Sequence, residues 1–225
     1  MDFNLPKYAV FDMDGTLIDN YEYHLKAWGA MCEELGAPRS REEVIRDLHG
    51  TNFEICQKFF GPHITFEESE RIGATKEARY REIYRPHIQP VAGLVELLKL
   101  LKSAGTKLAV GTMGNRANAK FVLDELQLHP YFSAVHTAEE VSKGKPDPEI
   151  FNLCLNALGA DTATTAKEDI WIFEDTSSGI GSAVNAGGTA IGILTSKSAE
   201  ELESYGAAHT SADYEMFMKL LTRAS

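Results

Sequence analysis

The chain has 225 residues, 44% of them hydrophobic and 24% charged, an ordinary globular composition with material for one large core and a smaller appended unit. Its formal net charge of −11, with no Lys/Arg-rich run to offset it, repels polyanions and excludes nucleic acid as a partner. No apolar run reaches the roughly eighteen residues of a membrane span, and the N-terminus carries no apolar signal segment, so the expectation is a cytoplasmic protein with no membrane partner, a monomer or at most a dimer.

In chain order, a β-rich run at Tyr8–Asp12 comes first. From Leu17 to Pro90 the pattern turns helical, with segments at Tyr21–Gly36, Arg41–Leu48, Phe53–Phe60 and Glu67–Ile83 and no convincing strand. A crossover between parallel strands needs only about a dozen residues, so this excursion reads as a separate helical domain, residues 18–87, with hinges near Asp19 and Pro86–Pro90. Leu94, Leu97, Leu98 and Leu101 then repeat at i, i+3, i+4, i+7, the buried stripe of a helix that ends near Gly105. Strands follow at Lys107–Thr112, Ala134–Thr137, Ile170–Glu174 and Thr189–Leu194, with helices Arg116–Leu126 and Glu149–Gly159 between them and a small-residue connecting loop at Ala160–Lys167. That alternation predicts an α/β core, a parallel sheet wrapped by helices, from residues 1–17 and 88–225. Cys32, Cys56 and Cys154 are odd in number, far apart and in no C-x-x-C pair, and read as buried free thiols.

The chemistry concentrates in Ala9-Val-Phe-Asp12-Met-Asp14-Gly-Thr-Leu17. Residues i and i+2 of an extended chain face the same side, so both acids point into one crevice at the carboxyl end of a strand, where open α/β sheets bind ligands. Two carboxylates so close need a cation or a proton between them. Gly15 permits a sharp turn and offers backbone N–H groups to an anion; the bland alternative is a solvated Asp-Gly turn. An EF-hand is excluded, because Gly15 falls fourth and Tyr23 twelfth in the loop, and no phosphate-binding P-loop or complete dinucleotide fingerprint is present. Three further elements belong at the same sheet edge: Thr112, Lys145 in Lys143-Gly-Lys-Pro-Asp147, and Glu174-Asp175. Thr112 alone reads equally as a helix cap, and Lys145 as a solvated loop lysine. Paired acids ending a hydrophobic strand carry more meaning, since they are rarely placed there without something to bind.

With these residues in order, the sequence resembles the haloacid dehalogenase superfamily, in its β-phosphoglucomutase-like and sugar-phosphate phosphatase branch with a helical cap inserted after the first motif. The resemblance implies a Rossmann-like, doubly wound core and a bound Mg²⁺ held by Asp12, the backbone carbonyl of Asp14, Glu174 and Asp175. It further implies that Asp12 attacks phosphorus to give an aspartyl-phosphate, that Asp14 serves as general acid and base, and that Lys145 and Thr112 contact the phosphoryl oxygens. An acid at the position of Asp14 argues for phosphoryl transfer over carbon–halogen cleavage.

Gly15, Thr16 and Asn115 are the expected phosphate-side substrate contacts, and His24 and Lys76 those of the cap. His24 lies in a Tyr-His-x-x-Ala-Trp segment resembling that of β-phosphoglucomutases; its alternative is packing beside the stripe of Tyr21, Leu25, Trp28 and Cys32. The alternative for Lys76 is a solvated helix face. In His49-Gly-Thr-Asn-Phe53, Phe53 stands where mutases carry an arginine for a second phosphate. The expected activity is therefore hydrolysis of a small phosphate ester, a sugar phosphate in particular. A phosphosugar mutase is the alternative, and a receiver-like phosphate-responsive module without catalysis is the alternative of another class.

Overall fold

A computed structural model describes residues 5–48 and 51–223, leaving His49 and Gly50 of the His49–Phe53 stretch outside the described residues. Two compact units emerge: one from the described residues up to Asp19 and from Gln89 onward, the other from Asn20–Ile88.

The first unit is a six-stranded parallel sheet, β1 (Tyr8–Phe11), β2 (Lys107–Gly111), β3 (Ala134–His136), β4 (Ile170–Glu174), β5 (Thr189–Ile193) and β6 (His209–Ser211), in the order β3-β2-β1-β4-β5-β6. Each of the five strand pairings is parallel, as expected for a doubly wound sheet covered on both faces. Side-chain alternation divides the core. Val10, Ile170 and Ile172 join Ile150, Phe151 and Leu155 on one face. Phe11 and Phe173, paired in register and stacked at 4.5 Å, face Tyr214 and Phe217 with Trp171 on the other. β6 is a strand the sequence pattern does not reveal, because His209-Thr-Ser211 has no apolar run to mark it.

The sheet's helices are Leu94–Ser103, Arg116–Glu125, Glu149–Leu158, Ser177–Asn185, Ala199–Ser204 and Tyr214–Arg223. Numbered through the whole chain they are α5 to α10, since α1 to α4 belong to the second unit: Tyr21–Glu34, Arg41–Asp47, Asn52–Phe60 and Phe66–Tyr84. The three later helices of that unit begin with reciprocal capping boxes, Ser40 with Glu43, Thr51 with Glu54 and Thr65 with Glu68, which satisfy the otherwise orphaned first-turn N–H groups. Its core is Leu25, Trp28, Met31, Cys32, Val44, Ile55, Cys56 and Phe59. Tyr21 is 49% exposed, so it does not belong to the α1 stripe expected for it; Met31 completes the stripe instead. All three cysteines are buried and free.

Candidate active site

Register alone brings the chemical groups together. Phe11 pairs with Val110 on one side and Phe173 on the other, so Asp12 just past β1 lies level with Gly111 and Glu174, the last residues of β2 and β4. The Asp12 N–H extends the ladder by one rung to the Phe173 carbonyl at 3.0 Å, which fixes the direction of the aspartate. Met13 then turns into the core, fully buried. Its carbonyl accepts from the N–H groups of Thr16, Leu17 and Ile18 at 3.2, 2.8 and 3.3 Å and closes the loop. Gly15 sits at φ +77°, and a Cβ there would stand 2.0 Å from Asp175 Oδ2. Only glycine meets both demands.

The Lys145 ammonium lies 2.5 Å from Asp12 Oδ1, 2.6 Å from Glu174 Oε1 and 3.4 Å from the Gly111 carbonyl oxygen, above the Phe151 ring. It is therefore a buried ion-paired group, and the solvated alternative does not hold. Asp12, Glu174 and Asp175 are 5%, 1% and 2% exposed, with one oxygen of each lying within 4.8 Å of the others. Three carboxylates against one ammonium leave excess negative charge in a dry site. Burial pushes the Asp12 carboxyl well above the ordinary carboxylate range, the Lys145 attraction opposes this, and repulsion from Glu174, Asp175 and Asp14 adds to it. Burial, then repulsion from Glu174, likewise raises Asp175, while the Ser196 hydroxyl pulls it back. For Lys145, burial would lower the pKa, but Asp12 and Glu174 overcome it and raise it.

The two strand-end acids of β4 are held differently. Glu174 Oε2 accepts from the N–H groups of Asp175 and Thr176 and from the Thr176 hydroxyl at 2.9, 3.0 and 3.0 Å, while Oε1 takes Lys145 alone and keeps a lone pair. Asp175 Oδ2 accepts from the Ser196 hydroxyl, but Oδ1 is buried with no hydrogen-bond partner. An orphaned carboxylate oxygen inside an all-oxygen, net-negative cluster fits a hard divalent cation.

Thr112 follows β2; its Oγ1 accepts from the Gly114 N–H at 2.8 Å, which leaves the hydroxyl proton available to a ligand. A Cβ on Gly114 would lie 3.1 Å from both Thr112 Oγ1 and Asp14 Oδ2, so those two groups flank one spot. Asp14 is only partly buried. Asn115 caps α6, its Oδ1 accepting from the Asn118 N–H at 2.8 Å. Thr16 is fully buried; its carbonyl accepts from the Tyr214 hydroxyl at 3.1 Å, and its own Oγ1 has no partner. As a substrate contact its side chain is therefore poorly placed.

In the helical unit, His24 stacks on Tyr80 with centroids 4.0 Å apart, Nδ1 3.2 Å from the Lys76 ammonium and Nε2 3.3 Å from Asn20 Nδ2. Burial, and after it the Lys76 charge, holds His24 down at about 3, so it is neutral at working pH. Lys76 is 5% exposed, paired with Glu77 and 5.4 Å from the Trp28 ring, which corrects the solvated-face alternative. Phe53 packs on Phe66 at 5.9 Å. The sequence reading missed Thr195, Ser196 and Tyr214, whose hydroxyls touch the loop and acids of the site, because neutral hydroxyls far along the chain form no charge or spacing signal.

Haloacid dehalogenase-like hydrolases match the chain over residues 9–193. The chain is 36% identical over 192 residues to "Probable phosphatase IndB" of Dickeya dadantii, covering 82% of this chain and 80% of that protein. To the phosphorylated carbohydrates phosphatase of Thermotoga maritima it is 29% identical over 184 residues, 80% of this chain and 81% of the other. In structure it resembles a family IA, variant 3 hydrolase from Entamoeba histolytica, with a TM-score of 0.84, 25% identity and coverage of 97% and 99%. The chain belongs to the haloacid dehalogenase-like hydrolases and is an enzyme of that class.

Proposed function

We propose that the chain hydrolyses small phosphate monoesters, sugar phosphates foremost, through Asp12. The observation that carries this is Asp12 itself: a buried strand-end carboxylate held at 2.5 Å by Lys145 within a cluster of acids that needs a cation. Asp12 Oδ1 is engaged by the lysine, which orients the carboxylate for attack on phosphorus to give an aspartyl-phosphate. Lys145 neutralises charge on the phosphoryl oxygens and the Thr112 hydroxyl donates to one of them. Asp14 protonates the leaving alkoxide and then takes a proton from the attacking water. Asp12, Glu174, Asp175 and the Asp14 carbonyl would hold Mg²⁺, with Glu174 also bridged to Lys145 and to its own loop. When bound, the ion supplies positive charge to the transferring phosphoryl group.

His24 and Lys76 are the substrate-facing candidates of the helical unit. No helix among the described residues is long and apolar enough to cross a membrane, and three buried free thiols suit a reducing compartment, which supports a cytoplasmic setting. The phosphatase names of two relatives support the same reaction.

The test is phosphate release from p-nitrophenyl phosphate and a panel of sugar phosphates, with and without Mg²⁺. Metal-dependent release that Asp12→Asn abolishes is expected. Glucose 6-phosphate made without free phosphate, from β-glucose 1-phosphate and a trace of the 1,6-bisphosphate, would replace the hydrolase with a mutase. No turnover of any ester would leave a binding module.

A further inference from the structure

Three hydroxyl side chains outside every motif reach the parts of the site that a cation must use. Thr195 and Ser196 lie just past β5, the strand beside β4. Thr195 Oγ1 donates to the Gly15 carbonyl at 2.5 Å. The Ser196 hydroxyl donates to Asp175 Oδ2. Tyr214, at the first position of α10, is fully buried and donates its phenol proton to the Thr16 carbonyl at 3.1 Å. Two successive carbonyls of the nucleophile loop are thus tied to side chains from the last part of the chain, and so is one oxygen of Asp175.

We infer that Ser196, supported by Thr195 and Tyr214, is a positioning residue for metal binding: the hydroxyls orient Asp175 and the Asp14–Thr16 backbone so that Asp175 Oδ1 and the Asp14 carbonyl converge on one ion. This rests on the metal-dependent reading above. The geometry gives each contact a separate task. Ser196 occupies Oδ2 and so leaves Oδ1, the orphaned atom, as the oxygen offered. Thr195 and Tyr214 fix the carbonyls of residues 15 and 16, and because consecutive peptide planes share a Cα, the preceding carbonyl of Asp14 is restrained with them. Hydrogen bonds to metal-ligating carboxylates from outside the ligand set commonly change metal affinity or activity about 10- to 100-fold when removed.

The test is Mn²⁺ binding to the full chain by electron paramagnetic resonance, with melting of the metal-free protein in EDTA as the structural control. Ser196→Ala is expected to weaken Mn²⁺ binding by about tenfold or more while the metal-free melting temperature stays within a few degrees, and Ser196→Thr to restore most of the affinity. Thr195→Val is expected to weaken binding in the same direction, with Thr195→Ser as its rescue. Wild-type Mn²⁺ affinity in Ser196→Ala overturns this inference and leaves the phosphatase reading standing. Absence of Mn²⁺ binding by the wild-type chain overturns both.

Discussion

Lys145 is the side chain whose removal touches both stability and catalysis. Its ammonium answers two buried carboxylates at once, and without it the charges of Asp12 and Glu174 repel each other across a buried site. Breaking a buried pair by deleting one partner typically costs about 3–5 kcal/mol, because the remaining charge stays desolvated. Lys145→Met is therefore expected to lower the melting temperature in EDTA by roughly 6–20 degrees, to regain part of the loss in millimolar Mg²⁺, and to reduce turnover at least a hundredfold under both conditions. Thermal melts with parallel phosphate-release assays check it; equal loss with and without Mg²⁺ would show that the cation does not share the work of neutralising these acids. Asp12, Asp14 and Glu174-Asp175 could be anticipated from sequence because they are charged groups at the ends of apolar strands, whereas Lys145, in a loop that reads equally as solvated, takes its place only from the family resemblance. Thr195, Ser196 and Tyr214 could not. A hydroxyl is compatible with surface, cap or core, and only the folded register shows which carbonyl it meets.

At the scale of elements, α8 shows how a helix can be placed by what it lacks. It begins at Ser177-Ser-Gly, with Thr176 Oγ1 accepting the Gly179 N–H at 3.1 Å, and a Cβ on Gly179 would fall 1.8 Å from Glu174 Cδ. The first turn packs directly on the acid. Gly29, in the middle of α1, has nothing within 4 Å of its virtual Cβ. Alanine raises helix propensity at both sites by the same mechanism, about 0.5–1 kcal/mol, so any difference between them isolates the contact. Gly29→Ala is expected to raise the melting temperature slightly and leave kcat unchanged. Gly179→Ala is expected to displace Glu174 and Lys145 with it, lowering both the melting temperature and turnover, the latter by tenfold or more. Unchanged activity in Gly179→Ala would mean that Glu174 has no fixed role. The same helix explains why part of the fold escaped the sequence: Ser-Ser-Gly is a poor helical signature, and β6 is three residues at a sheet edge. β1, β2 and β4 were legible because strands buried on both faces must be apolar along their length.

For the molecule as a whole, its two units carry buried titratable groups of opposite sign and should respond to pH in opposite directions. In the helical unit, His24 titrates near 6.5 when unfolded and about 3 when folded. As pH falls through 6.5 the unfolded chain takes a proton that the folded unit refuses, so stability present above 6.5 is lost on acidification. In the sheet unit, Asp12 and Asp175 keep their protons to higher pH when folded than when unfolded. Their burial is tolerated at acid pH and opposes folding increasingly as pH rises from about 4 toward 8, the value to which Asp175 is raised. Lys145, raised above its usual value, stays charged in both states across this window and contributes no slope, while partial burial lowers His209 on β6 and sets a smaller slope against that of the two carboxyls. Amide exchange of the metal-free protein, corrected for intrinsic rates, should therefore show sheet-unit protection rising and helical-unit protection falling between pH 7.5 and 5. Saturating Mg²⁺ should flatten the sheet-unit trend, since the ion takes over the proton's place among the carboxylates, and His24→Gln should flatten the other. Parallel trends in the two units, or a sheet-unit slope that Mg²⁺ leaves untouched, would mean that the acids at the end of β1 and β4 are not the cation site.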